Sequence, residues 1–376
     1  ADFNSRDEFV ATFESMSGET IESLELVSFG KNVAIFRFSN SDLWKLEGGA
    51  PIVRVVNETN GETFDAISSL SLAASAGVGS GAAGTVVTDS GVVADGYISG
   101  ARVFRDADQD GAFDVGETFV LTNASGEFTN LGGDSTKPIV ADGNDGQAID
   151  TSTGITFNSI LSAPAGSKVV NPITTIVNEL MIDDPTLAVA DANLSVARAM
   201  GLTNVVDGNG SQVDFTKFDP ISNQVFGDGG TTSINADLAT VTQGVATYVA
   251  NLIVSGSNEQ GGDVATQAAT TKSIISNLKD TVKTKSTAVL GGDNSAVFDF
   301  TDTDDILVAL GDSFNASSST LEKLKEEFNG FDTSDPATTA ASFDNDALIE
   351  KQLLSQSEFG DGVLTDAEAA NGAVLV

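Results

Sequence analysis

Ile98-Ser99-Gly100-Ala101-Arg102-Val103-Phe104-Arg105 leads into Asp106-Ala107-Asp108-Gln109-Asp110-Gly111-Ala112-Phe113-Asp114-Val115-Gly116-Glu117, which leads into Thr118-Phe119-Val120-Leu121-Thr122. The middle block fits the twelve-position calcium loop: carboxylates at positions 1, 3, 5 and 9, glycine at 6 and glutamate at 12. Calcium takes six to eight hard oxygens in a flexible shell. Asp106, Asp108, Asp110, Asp114 and Glu117 supply carboxylates, and the Ala112 carbonyl stands at the backbone-ligand position. Gly111 permits the sharp turn that brings early and late ligands together. The plain alternative is an acidic surface turn. Both flanks are rich in β-branched and aromatic residues and lack a helical period, so the loop is expected between strands rather than between helices.

The surrounding composition fits this reading. The chain has 376 residues, enough for two or three domains, and 40% of them are hydrophobic, with 22 phenylalanines, which excludes wholesale disorder. Eighteen basic residues against 54 acidic ones give a formal charge of −36. Nucleic acid and anionic membranes are bound through basic patches, so neither is expected as a partner. A chain this acidic is expected to gain stability from calcium or a saline medium. Cysteine and histidine are both absent. Disulfides, zinc sites, imidazole bases and Cys–His or Ser–His–Asp machinery are therefore excluded. No uninterrupted run of about 18 apolar residues occurs, so no membrane insertion is expected. A chain opening at Ala1 without a signal peptide is expected to be a processed product or a piece of something larger.

Residues 1–76 read as a mixed α/β unit: a short helix over Asp7–Met16, strands over Ser23–Phe29 and Val33–Phe38 around a Gly30-Lys31-Asn32 turn, a third strand over Pro51–Val56 and a helix over Thr63–Ala74. Trp44 reads as a core anchor. The glycine-rich stretch Gly77–Gly84 reads as a linker; it lacks the lysine and strand-to-helix context of a phosphate loop. From 85 to 165, short strands (Thr85–Thr88, Tyr97–Phe104, Phe119–Thr122, Glu127–Thr129) separated by Gly/Asp/Asn clusters point to a small β-sandwich. From 166 to 376 the period is helical. Asn171-Pro172 reads as an N-cap and first helical residue. Helices follow over Leu194–Met200, Asn235–Ile253 and Asp263–Lys283, then from a capping box at Ser319–Glu322 to Gly330, and over Asp346–Ser355. Asp302, Asp304 and Asp305 read as decoration of a helix N-terminus. The fold class expected is thus α+β.

Three weaker acidic loops are candidates for further calcium. Asp142, Asn144, Asp145 and Asp150 form one, lacking the final glutamate. Asp207, Asn209 and Asp214 form another, whose plain reading is an Asn/Gly turn. Gly360–Glu368 matches only the second half of a loop, since positions 1 and 3 would be Ser357 and Phe359. Paired carboxylates could run glycosidase chemistry, but among 54 acids such pairs carry no weight. No catalytic residue is assigned and no enzyme activity is expected.

Gly100 to Glu117, followed by Thr122-Asn123-Ala124-Ser125-Gly126-Glu127-Phe128, resembles the calcium-stabilised B-type repeat of bacterial surface adhesins. That resemblance implies an Ig-like sandwich holding the loop between strands. Leu161 to Thr175, with Ala199–Leu202 and Phe218–Pro220, is similar to a region of large secreted proteins of marine bacteria that often carry RTX repeats or cadherin-like arrays. The likeness spans roughly residues 85–255; glycine-rich RTX repeats are absent, and residues 1–76 and 260–376 resemble no family. An extracellular, calcium-stabilised surface protein that self-assembles into a layer or filament is the role expected. An adhesin module binding other surface proteins or glycans is the alternative, with a calcium buffer and a polysaccharide hydrolase behind it.

Overall fold

The computed structural model describes residues 9–14, 20–29, 34–37, 52–57 and 63–67, and then residues 89–358 apart from 115, 144–147, 228–229, 261–263 and 312–317. The chain divides into two compact units, Ala1–Gly79 and Ser80–Val376. Trp44, the Gly77–Gly84 linker, the expected strand Thr85–Thr88 and the half-loop at 360–368 lie outside the described residues.

In the first unit, β1 (Phe9–Glu14), β2 (Thr20–Phe29), β3 (Ala34–Arg37), β4 (Ile52–Asn57) and β5 (Thr63–Ile67) form one antiparallel sheet in the order β3-β2-β1-β4-β5. Two expected helices are strands here. Phe9, Val10 and Phe13 mimic a helical spacing, but Phe-Val-Ala-Thr-Phe is equally an alternating strand of β-favouring residues. Pairing on both sides, Ala11 with Leu24 and with Val55, selects the strand. Thr63–Ile67 likewise pairs along β4, with Phe64 opposite Val55.

The second unit is mixed α+β. It opens with β6 (Asp89–Val93), β7 (Ile98–Ser99), β8 (Arg102–Arg105), β9 (Phe119–Leu121), β10 (Glu127–Leu131), β11 (Ile139–Asp142), β12 (Ile149–Asp150), β13 (Ile160–Ala163) and β14 (Val169–Val170). These make three small sheets, ordered β10-β6-β14, β13-β11-β8-β9 and β12-β7. The expected strand Tyr97–Phe104 is broken in two by Gly100 at φ 79°. Val93, Phe128, Leu131 and Val170 meet Val103, Ile139, Ala141 and Leu161 in one buried core. Two sheets thus enclose a shared apolar interior, with β14 running parallel to β6.

Among the described residues eight α-helices follow: α1 (Pro172–Asp183), α2 (Val189–Ala199), α3 (Ala236–Gln260), α4 (Val264–Leu290), α5 (Thr303–Leu310), α6 (Ser318–Glu327), α7 (Pro336–Ser342) and α8 (Asn345–Glu358). A small sheet of β15 (Phe218–Asp219), β16 (Gln224–Gly227) and β17 (Gly230–Thr232), absent from the sequence reading, precedes α3. At α1, Asn171 accepts from the Thr174 amide while the Thr174 hydroxyl accepts from the Asn171 amide, a reciprocal cap with Pro172 next to it. α5 starts where the aspartates indicated, with Asp302 accepting from the amides of Asp304 and Asp305. Val241, Val245, Val249 and Leu252 of α3 lie in the main helical core. Ala236–Ser257 is long and apolar enough to cross a membrane by length and composition, with mean hydropathy 1.3, yet 83% of its apolar window is buried inside the protein. Its placement is that of a core helix. Around it Tyr248 packs edge-on to Phe300 and Phe328 at ring separations of 4.8 and 4.7 Å.

Strand and helical parts meet at β13, an edge strand. Its Ser162 amide donates to the Thr175 hydroxyl at 2.9 Å, its carbonyl accepts from the Thr174 hydroxyl at 2.9 Å, and its own hydroxyl accepts from Asn178 at 3.0 Å. α1 so satisfies backbone groups that an edge strand leaves open, and it places its next turn, with Glu179, beside the acidic loop.

Candidate metal centre

The acidic loop connects β8 to β9, which are antiparallel neighbours with Phe104 opposite Phe119. The strands bring residues 105 and 118 side by side, so the intervening residues must fold back on themselves. Gln109 at φ 66° and Gly111 at φ 75° make that reversal in left-handed backbone. Phe113 turns inward from the loop and packs edge-on between Phe104 and Phe119, each 5.3 Å away. Arg102 caps Phe113 with its guanidinium 4.8 Å from the ring centroid. An apolar anchor therefore pins a segment that is otherwise charged.

Within the loop, Asp106 is the buried member, 2% exposed. Its two oxygens accept from the amides of Gln109 at 2.7 Å and Gly111 at 2.8 Å. Carboxylate oxygens of Asp106, Asp108 and Asp110 all lie within 4.8 Å of one another, and Asp108 and Asp110 are exposed. Among the described residues this is the one group of three potential metal-ligating side chains so close together. Glu117 reaches back from the far end: one oxygen accepts from the Ala107 amide at 2.8 Å, the other from the Asp114 amide at 3.0 Å. The Ala112 amide donates to Asp110 at 2.7 Å. Asp106, Asp108 and Asp110 are thus brought together, while Ala112, Asp114 and Glu117 form the return leg closed over them.

Burial raises the Asp106 carboxyl above its ordinary range; the amides of Gly111 and Gln109 oppose this, and the charges of Glu117 and Asp110 add to it. Asp114 is raised too, by desolvation and then by Asp108, Asp110 and Glu117. Carboxylates that raise one another hold negative charge at a cost, and a divalent cation relieves it.

Three surrounding groups were not singled out in the sequence. Lys137 donates to the Ala107 carbonyl, and Lys272 of α4 donates to the Asp110 carbonyl, so cations from two elements clasp the loop backbone. Glu179 of α1 lines a cavity of about 190 Å³ together with Asp106, Asp110 and Lys272. Burial raises Glu179, and Lys279 and Lys272 partly offset that. No local pattern marks these residues, since the fold brings them from 20 to 166 positions away.

The weaker candidates sit apart. Asp142 ends β11 and pairs with Arg102 at 3.6 Å across the sheet. Asn144 and Asp145 lie outside the described residues. Asp150 is on β12, fully buried, and accepts from the Ser152 amide and hydroxyl at 2.9 and 2.6 Å. Asp207 accepts from the amides of Asn209 and Ser211 within a turn closed by a Val206–Gln212 bridge, and those bonds hold its carboxyl below the ordinary range. Asp214 caps the short helix Phe215–Lys217 through the Thr216 amide and also accepts from Asn193 at 3.0 Å. Asn209 is exposed.

No protein family matches the chain, and no curated protein or solved structure is similar to it. The site's chemistry therefore rests on its own geometry: a shallow cage of anionic oxygens suited to a hard cation.

Proposed function

We propose that this chain is an extracellular, calcium-stabilised structural protein of a bacterial surface, whose copies assemble once the ion is bound. The observation that carries the reading is the crowding of Asp106, Asp108 and Asp110 within 4.8 Å on a loop that joins two paired strands. Calcium there would take Asp106, Asp108, Asp110, the Ala112 carbonyl, Asp114 and Glu117, neutralise their repulsion and fix β8 against β9. Binding of that kind is folding energy. Two small sheets enclosing one core agree with the Ig-like module that the adhesin resemblance implies. A formal charge of −36 keeps copies apart until cations screen it, which makes calcium a natural trigger for assembly.

One observation favours the adhesin alternative. Tyr97 and Phe226 line an open cleft with Glu127, Asp219 and Gln224, a mixture of flat apolar and polar groups that suits a glycan.

Thermal melting combined with light scattering, in calcium and in chelator, separates these readings. A higher melting point together with growth into large particles supports the assembling structural protein. Stabilisation of a monomer alone shifts the role to an adhesin module, and no calcium response sinks both.

A further inference from the structure

The turn Ala94–Tyr97 between β6 and β7 buries an aspartate that the acidic loops do not involve. Asp95 is 2% exposed, and its Oδ1 has no hydrogen-bond partner among the described residues. Asp150, fully buried, packs against the same turn at Gly96, the residue that follows Asp95. The approach is tight. A Cβ on Gly96 would lie 2.3 Å from Asp150 Oδ1 and 2.4 Å from Ser152 Oγ, so only glycine lets the turn pass against that carboxylate. Gly96 at φ 99° and Tyr97 at φ 58° hold the turn in left-handed backbone. Thr151 staples it from the other side, its hydroxyl donating to the Gly96 carbonyl at 3.0 Å and its amide to the Tyr97 carbonyl at 3.0 Å. Gln352 of α8 donates to the Asp95 carbonyl at 2.6 Å.

A cavity of about 240 Å³ adjoins the turn, lined by Gly96, Ser152, Gln243, Thr247 and Gln352 among others, with no lysine or arginine among its described lining residues. Gln243 of α3 is 5% exposed, and its Oε1 is a second buried oxygen without a partner among the described residues. Burial, and then the charge of Asp150, hold the Asp95 carboxyl well above its ordinary range.

A buried carboxylate needs a proton or a cation to offset its lost hydration. We propose that Asp95 and Asp150 form a second site for a calcium-class divalent cation, with Gln243 offering a third oxygen from α3. Two carboxylates and an amide oxygen are the hard donors such an ion takes, with water completing the shell. The ion would tie the β6–β7 turn, β12 and the α3–α8 pair together, whereas the acidic loop joins β8 to β9. This site does not depend on the loop: its ligands are other residues on other strands.

The test is calcium stoichiometry and affinity on the full chain, by isothermal titration and equilibrium dialysis, with Asp110→Asn and Asp95→Asn. Asp110→Asn should remove or weaken one class of sites and leave another, and Asp95→Asn should remove that other class and lower the stoichiometry by one ion. Unchanged stoichiometry in folded Asp95→Asn overturns the proposal; if that variant also melts higher with and without calcium, a shared proton occupies the pair instead. Should Asp95→Asn fail to fold, Gln243→Leu takes its place. It should weaken the same class by about tenfold or more, and unchanged affinity overturns the proposal. An unaltered titration in Asp110→Asn would instead refute the loop as a calcium site.

Discussion

Replacing Asp106 with asparagine keeps the side chain's size and removes its charge, which separates the fold's need for the loop from the ion's need for the ligand. Asp106 accepts two amide bonds, at 2.7 and 2.8 Å, with different oxygens. Asparagine has one acceptor oxygen, so one amide loses its partner, at a cost of about 1–3 kcal/mol. Relief of the burial cost of a charged carboxylate, and then of repulsion from Glu117 and Asp110, works in the opposite direction and offsets part or all of that loss. In chelator, the variant is therefore expected to lie within about 1–3 kcal/mol of the parent. Calcium at a hundredfold excess over its dissociation constant adds about 2.7 kcal/mol to the parent, or roughly 4 °C in melting temperature for a unit of this size. The variant lacks the buried ligand of the site and should gain little. The difference between the two proteins then shifts by about 2.7 kcal/mol in the parent's favour in calcium. Denaturant unfolding with and without calcium measures all four stabilities. If the variant keeps the parent's calcium increment, Asp106 is not a ligand and the site is misplaced.

Other outcomes follow from the same geometry. Asp106 and Asp114 hold protons more tightly folded than unfolded, so in chelator their stabilising contribution is present at low pH and lost as pH rises through their raised range. In calcium the dependence reverses, because protons compete with the ion; melting across pH in both buffers should show the calcium increment shrinking as pH falls through that range. Gly126→Ala should cost more than about 2 kcal/mol in denaturant unfolding, since Gly126 sits at φ 70° and a Cβ would lie 2.6 Å from the Val93 carbonyl oxygen. Phe328→Ala, deleting a fully buried ring that packs on Tyr248, Phe331 and Phe343, should cost about 3–5 kcal/mol with an unchanged calcium increment, read by the same unfolding curves.

Local chemistry was legible wherever few neighbours are needed to decide it. The Asn171-Pro172 helix start, the aspartates at the head of α5, the long stripes of α3 and α4 and the acidic loop between two strands all appear as the residues indicate. Each depends on contacts within a turn or two of chain, where spacing in sequence is spacing in space. Asp7–Met16 reads as helix because its apolar spacing satisfies both periods, and pairing with strands far away in sequence makes Phe9–Glu14 a strand. The short strands β11, β13 and β15–β17 were missed for a similar reason: two to four residues hold no period of their own.

The candidate site divides the same way. Asp106, Asp108, Asp110 and Glu117 were readable as a unit because a calcium loop carries its ligands on one short segment. Lys137, Glu179 and Lys272 beside it come from a loop and two helices, and their charges alone distinguish them from no other lysine or glutamate. Asp150 shows the limit most clearly. Its spacing grouped it with Asp142, but β11 aligns Asp142 with Arg102 while β12 turns Asp150 into the interior beside Asp95, a residue 55 positions earlier in the chain. Spacing can place ligands that share a loop; ligands that meet across strands are placed by sheet register and by what burial costs a carboxylate.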